Sequence, residues 1–365
     1  MRLHKKLIDA LRAIKPRFIV VTTDSIVATY DPDDPGERLS VTLLTDIIGD
    51  CSIASPYAMS AERFFAACSK AKEIELQQPE SGFVLVRQNG AETKIPTVSP
   101  SDVPALDYAE VHVPKDYLSD LTASDLADAL ETSLTAVGPV RSDSSWNGLA
   151  IEPGILDKGI PGHVIRTDSH RLSIVSIQYA GEKIVVPQTV LRAAKALRLM
   201  GGASVQIAQS LLGSCVTISG PQGQIRIAPS VDTFPRWQSI FPKLQPIRVA
   251  FHSRPFGAMA AEAGKAGDKS RVDIRFNGAI DMASSNEATG STFSGTLPRL
   301  AVKGLPESGE FNLAFNGGYI SQACRALTGS NILSLDLTGP SIPAVFTGKS
   351  KGGLRTQVLV MPIAK

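Results

Sequence analysis

The sequence predicts an α+β protein in which antiparallel sheets are backed by helices, the arrangement recurring three times along the chain. Three observations carry this. In RVDIRF (271–276) the apolar residues Val272, Ile274 and Phe276 alternate, Asn277-Gly278 follows, and alternation resumes at Ile280 and Met282. That pattern marks a β-hairpin, and Asn-Gly predicts a type I′ turn, which needs positive φ at both central residues. ASVQIAQ, SCVTISG and GQIRIAP (203–209, 214–220, 223–229) form a second meander, broken at Gly213 and at Gly220-Pro221-Gln222-Gly223. Finally, FFAACSKAKEIEL (64–76), VLRAAKALRLMGG (190–202) and ISQACRALTGSNI (320–332) each read as a small-residue helix leading into a strand.

Superposing Cys68, Ala194 and Cys324 gives intervals of 126 and 130 residues, close to one third of 365. Three equal domains fit that period, and a short-period solenoid does not. PTVSPSDVPALDYAE (96–110) and FPRWQSIFPKLQP (234–246) are rich in proline and polar residues. Boundaries just after each give domains 1–115, 116–245 and 246–365.

Apolar residues make up 43% of the chain and charged residues 20%, enough for sizeable cores. Thirty-seven Lys and Arg against 35 Asp and Glu leave a formal charge of +2. This excludes a histone-like polycation but leaves room for a local basic surface. Cys51, Cys68, Cys215 and Cys324 are far apart without a C-x-x-C pair, which predicts free thiols in a reducing cytosol. MRLHKKLIDALRAIK at the start has no secretory apolar run, and no segment approaches the roughly 20 apolar residues that span a bilayer. A soluble cytoplasmic protein without a membrane partner is expected.

RTDSHRL (166–172) places Asp168, Ser169 and His170 side by side. Its surroundings, HVIRTDSHRLSIVSIQY, are rich in β-branched residues and read as extended. Asp168 and His170 would then share one face and Ser169 the other, so a serine–histidine pair cannot form. No G-x-S-x-G elbow exposes the serine. A metal would need a third ligand, and His4, His112, His163 and His252 are scattered without ligand spacing. FTGKSKGG (346–353) holds a G-K-S, but Pro343 stands where a Walker A loop requires glycine, so its glycines mark a hairpin turn. No catalytic, metal or cofactor site is predicted, and the expected protein is not an enzyme. A hydrolase built on Asp168, Ser169 and His170 is the remote alternative.

The helices carry more information. In VPQTVLRAAKALRL (186–199), Val190, Ala194 and Leu197 share one face, while Arg192, Lys195 and Arg198 lie on the flank and opposite face with no acidic residue. NGGYISQACRALTG (316–329) has Arg325 as its only charge. Such faces suit either the tracking of phosphates or ordinary solvation. Lys5, Lys6, Arg12, Lys15, Lys70 and Lys72 extend the basic set, diluted by acidic neighbours.

SWNGLAIE (145–152), RTDSHRLSIVS (166–176), IVVPQTVLRAAKAL (184–197), FPRWQSIFP (234–242), FNGGYISQACRAL (315–327) and the terminal VMPIAK stand in a fixed order. Together they resemble the bacterial DNA sliding clamp, the β subunit of DNA polymerase III. The matching segments are the family's N-G strand, its T-D-G-H-R-L turn, the I-V-P-opened helix, F-P-x-Y-x-x-x-x-P and V-M-P-M-R-L. The resemblance covers roughly residues 110–365. It implies three similar domains per chain, a head-to-tail homodimeric ring, helices lining the hole and duplex DNA running through it. It also implies a pocket that receives short peptides from polymerase and clamp-loader subunits. By position the pocket residues are Trp146, Thr167, Ser169, His170, Arg171, Leu172, Pro235, Ile240, Leu359, Met361, Pro362 and Ile363; Arg192, Lys195, Arg198 and Arg325 would face DNA. A sliding ring contacts phosphates without reading bases, so dispersed cations suffice.

The chain also departs from the family. Ser169 replaces a typical glycine, Ser239 a frequent arginine, and Ala364-Lys365 the terminal Arg-Leu. The first third matches poorly and opens with a helix-like segment instead of a strand. Its ring-closing face falls around residues 92–97, opposite Ala263-Gly264. These features suit a divergent clamp; the alternative is a clamp-fold scaffold that binds partners without encircling DNA.

Overall fold

The computed structural model describes residues 1–22, 25–30, 38–44, 55–69, 72–80, 82–103, 120–139, 148–202, 204–209, 215–228, 234–243, 247–306 and 309–363. They pack as two compact units. One comprises residues 1–127, 152–160 and 178–231, the other 128–151, 161–177 and 232–365. The expected boundaries near 115 and 245 fall outside the described residues, as does Cys51.

The first unit is built on an antiparallel sheet. From the N-terminal third come β1 (Arg2–His4), β2 (Phe18–Val21), β3 (Ser25–Tyr30), β4 (Leu39–Leu44), β5 (Tyr57–Ser60), β6 (Glu73–Gln77), β7 (Phe83–Gln88) and β8 (Ala91–Val98). From the middle third come β13 (Gln206–Gln209), β14 (Val216–Gly220) and β15 (Gly223–Ile227). Their order is β1-β6-β7-β8-β5-β2-β3-β4-β15-β14-β13. The meander expected at 203–229 is therefore present, and it joins the first-third strands where Val41 pairs with Ile225.

Helix α1 (Lys5–Ile14) buries Leu7, Ile8, Leu11 and Ile14, one stripe at helical spacing, and ends at Lys15 in the left-handed region before Pro16. The three-residue β1 precedes it, which corrects the expectation of a helix without a strand at the start. Main-chain pairing with β6 supplies partners for a segment too short for a sequence pattern to reveal. Helix α2 (Ala61–Ala67) is capped by the Ser60 hydroxyl, which accepts from the Arg63 N–H. After strand β12 (Ile184–Pro187) a 3-10 turn (Gln188–Ala193) continues into α4 (Ala194–Met200), which packs against α1.

In the second unit the larger sheet runs β9 (Gly148–Glu152), β10 (Gly162–Thr167), β11 (Arg171–Ile177), β24 (Arg355–Val360), β23 (Ala344–Lys349), β22 (Ile332–Leu337), β16 (Ile247–His252) and β20 (Ala301–Lys303). A four-stranded sheet runs β19 (Ser291–Leu297), β18 (Ile280–Asn286), β17 (Arg271–Phe276) and β21 (Phe311–Asn316). Helices α5 (Ser253–Ala266) and α6 (Gly317–Ala326) pack against each other, and this unit also holds residues 128–137 of α3 (Ala123–Val137). Phe251, Phe256, Phe276, Phe315 and Phe346 fill the core.

All three helix–strand stretches form: α2 with β6, α4 with β13, and α6 with β22. The hairpin at 271–286 forms too, but its turn is not type I′. Neither Asn277 nor Gly278 is left-handed. The loop has three residues, and the Asn277 side chain accepts from Ala279 N–H at 2.8 Å, closing an Asx-turn instead. Cys68, Cys215 and Cys324 are free and buried, and burial pushes the Cys68 and Cys324 thiols up to about 12.

Candidate functional site

Strands β10 and β11 pair from Gly162↔Ile177 to Thr167↔Leu172, so Asp168, Ser169 and His170 form the turn between them. The expected continuous extension is broken here by side-chain hydrogen bonding. Asp168 Oδ1 accepts the N–H groups of His170 (3.0 Å) and Arg171 (2.8 Å). Thr167 Oγ1 donates to the Arg171 carbonyl at 2.7 Å and accepts from Ser169 N–H at 3.2 Å. Aspartate and threonine are the residues whose short polar side chains compete with strand pairing in this way. Ser169 then adopts φ +71°, and its hydroxyl donates to the Asp168 carbonyl. The Asp168 carboxylate is engaged by Arg171, and the His170 ring stacks on Tyr319 with centroids 6.2 Å apart. A proton relay from serine through histidine to aspartate has no geometry here. Among the described residues, no group of three His, Cys, Asp or Glu side chains is placed to hold a metal ion.

The left-handed Ser169 gives a direct prediction. A non-glycine residue at this φ carries a penalty of roughly 1–2 kcal/mol, which glycine avoids while freeing the unfolded chain. Ser169→Gly is therefore expected to fold with stability within about 1 kcal/mol of the parent, measured by urea unfolding. A loss above about 2 kcal/mol, more than the backbone penalty itself, would show that the hydroxyl, not the backbone, holds the turn.

Arg171 ties the turn to its surroundings. Its guanidinium pairs with Asp168 Oδ2 at 2.6 Å, both side chains being largely buried (7% and 15% exposed). It also donates to the carbonyls of Ala136 and Val137 at the end of α3 and to Gln322 Oε1 of α6, and lies 4.0 Å over the Tyr319 ring. The chain end docks on the same turn: Met361 N–H reaches the His170 carbonyl at 2.9 Å, and Ile363 N–H reaches the Ala314 carbonyl at 2.8 Å.

Beside the turn lies an apolar floor of Ala150, Ile165, Leu172, Ile174, Val345 and Leu359. Leu172 and Leu359 face each other across the β11–β24 pair. Phe234, Trp237 and Phe241 stand against this floor, partly exposed. Trp237 belongs to a 3-10 turn (Trp237–Ile240), and its N–H bonds to the Pro235 carbonyl at 2.8 Å. Ile240 and Met361 are 45% and 37% exposed, although both are apolar. Thr167, Ser169, His170, Arg171, Leu172, Pro235, Ile240, Leu359, Met361, Pro362 and Ile363 thus fall within one unit, around the turn, the floor and the chain end. Trp146 lies outside the described residues. The aromatic wall was visible in sequence only as the spacing Phe234, Trp237, Phe241, one face of a short helical turn.

Of the basic residues, Lys195 and Arg198 are exposed on α4, while Arg192 is half-buried with its guanidinium 4.2 Å from the Tyr30 ring. Val190, Ala194 and Leu197 are buried beneath them. Lys5, Lys6, Arg12 and Lys15 are exposed on or beside α1, the helix that packs on α4. In the other unit Arg325 is exposed on α6.

No protein-family model matches the sequence, and no curated protein sequence matches it. Solved structures do match. The DNA polymerase III subunit beta of Pseudomonas aeruginosa covers 100% of both chains at 14% identity and a TM-score of 0.73. The beta clamp of Helicobacter pylori, in complex with carprofen, also covers 100% of both at 17% identity and a TM-score of 0.72. The DNA polymerase III beta chain of Streptococcus pneumoniae covers 99% of its own chain and 100% of this one at 15% and 0.73.

The chain has the sliding-clamp fold. It keeps that fold at 14–17% identity.

Proposed function

We propose that this protein is a DNA sliding clamp: two copies close head to tail around duplex DNA, and the site beside the 168–170 turn tethers polymerase and clamp-loader subunits through short peptides. The reading includes three domains, 1–115, 116–245 and 246–365, and a cytoplasmic location. The observation that carries it is a buried apolar floor of Leu172 and Leu359, covered by the partly exposed Phe234, Trp237 and Phe241, with the apolar Ile240 and Met361 left exposed in the two segments that supply its wall and its last strand, in a chain with this fold. Apolar side chains that stay exposed beside a hydrogen-bonded rim are what an anchored peptide needs: burial supplies affinity, and the rim sets register.

The basic helices support the duplex. Lys195, Arg198 and Arg325, with the cations of α1, are exposed side chains that meet phosphates by charge alone, and Arg192 flanks them. Two strand edges support closure. Among the described residues, β19 is the outer strand of its sheet, and residues 91–96 of β8 pair only with β7, β5 joining at 97–98. Exposed edges of this kind template pairing with another chain.

The expected mass in solution is twice 38.7 kDa. Loaded protein should stay on closed circular DNA and be lost when the circle is cut, because topology and not affinity retains it. A monomer at micromolar concentration whose retention ignores linearisation would instead identify a clamp-fold scaffold that binds partners without encircling DNA.

A further inference from the structure

The turn between β23 and β24 contains the G-K-S of residues 348–350 and presents Lys349, Lys351 and Arg355, all exposed, within seven residues. It is braced from behind. The fully buried Ser350 hydroxyl shares a short hydrogen bond with Asp128 of α3, whose other carboxylate oxygen accepts Gly352 N–H at 3.0 Å. Ser350 Oγ also accepts Leu354 N–H at 3.0 Å, and the Ser350 carbonyl accepts Gly353 N–H at 3.0 Å. On the other side, Lys349 N–H reaches Ser330 Oγ at 2.9 Å, and its carbonyl accepts Gly329 N–H at 3.1 Å. Both partners lie just beyond the end of α6, about one helical turn from the exposed Arg325.

Two consequences follow from this bonding. The N–H groups of Ser350, Gly352, Gly353 and Leu354 are all consumed inside the protein, so the turn cannot cradle a nucleotide phosphate as a Walker loop does. Binding here must come from the side chains. Meanwhile Asp128, only 4% exposed, spends its carboxylate on the inner side of the turn, and the three cations form no ion pair with a described residue. The cost of ordering the loop is already met in the fold, which favours contact with a polyanion.

We propose that this turn is a further duplex-contacting element, with Lys349, Lys351 and Arg355 meeting backbone phosphates beside Arg325. The proposal rests on the clamp reading and adds to the helices a loop that they do not include. Its test is fluorescence anisotropy with a short linear duplex over a salt series, for the parent and for Lys349→Gln/Lys351→Gln/Arg355→Gln. For every phosphate that a side chain no longer neutralises, the slope of log affinity against log salt falls by about 0.9. The triple variant is expected to lower it by about 1–3, weaken binding equally for unrelated sequences, and leave the thermal midpoint unchanged. Lys351→Gln alone should give a smaller change of the same sign. If the parent binds the duplex and the triple variant matches it in affinity and slope, the inference is overturned while the clamp reading stands. If the parent shows no salt-dependent duplex binding, the inference is likewise overturned, while the clamp reading stands or falls by retention on circular DNA.

Discussion

Arg171→Ala is expected to lower the unfolding free energy by about 3–5 kcal/mol, the range for removing one member of a buried ion pair. The Asp168 carboxylate would be left largely buried without its charged partner, and the carbonyls of Ala136 and Val137 would lose their donors. The same loss should disturb the site. Asp168 shapes the turn through two backbone N–H groups, and His170 and the chain end rest on that turn. Arg171→Lys should recover little, because a single ammonium cannot reach carboxylate, two carbonyls and an amide at once or lie flat on Tyr319. Urea unfolding measures the first effect, and titration with a clamp-binding peptide the second. An alanine variant within about 1 kcal/mol of the parent, the ceiling for an exposed pair, would mean that Arg171 is not the strut described.

Gly317→Ala should be nearly as damaging for a different reason. A Cβ at 317 would sit 2.8 Å from Val272 Cγ2 and 2.9 Å from the Gly264 Cα, and would press on the Ala260 carbonyl. Two of these neighbours are backbone atoms of the facing helix, which cannot rotate aside. Helix α5 meets α6 at Gly257 as well, where a Cβ would lie 2.7 Å from that of Cys324. The overpacking cost is therefore expected at the upper end of its usual span, about 3 kcal/mol. At roughly 2–4 °C per kcal/mol for a unit of this size, the midpoint should fall by about 6–12 °C. Gly278→Ala is the control: nothing lies within 4 Å of that Cβ and its φ is not left-handed, so the midpoint should not move. Equal behaviour of the two variants would refute the close-packing account.

Much of the fold was legible in the chain because the signals are local. Alternation at Val272, Ile274 and Phe276 reflects one buried face of a sheet, and those three residues are buried. The helical stripe of Val190, Ala194 and Leu197 is buried for the same reason. Errors arose where side chains compete with the backbone for hydrogen bonds. Asn277 closed an Asx-turn in place of the type I′ turn, and Asp168 with Thr167 turned a stretch whose β-branched residues read as one strand. The clamp resemblance singled out candidate pocket residues by order along the chain. It could not say that Arg171 would point inward to α3 and α6, since Ala136, Asp168 and Gln322 are far apart in sequence.

By itself, then, the sequence determined the hairpin at 271–286, the meander strands at 206–227 and the three helix–strand stretches, the faces they bury, and that Lys195, Arg198 and Arg325 stay on the outside of their helices. Hydrophobic periodicity encodes these directly, since repeats of about 2.0 and 3.6 residues are properties of the backbone. The tertiary structure alone decided that Phe234, Trp237 and Phe241 wall a floor of Leu172 and Leu359, that the chain end docks on His170, and that a buried aspartate braces the basic turn at 349–355. Each of these joins residues separated by dozens to hundreds of positions, and such pairings are selected by packing and by the cost of leaving a buried polar group without a partner.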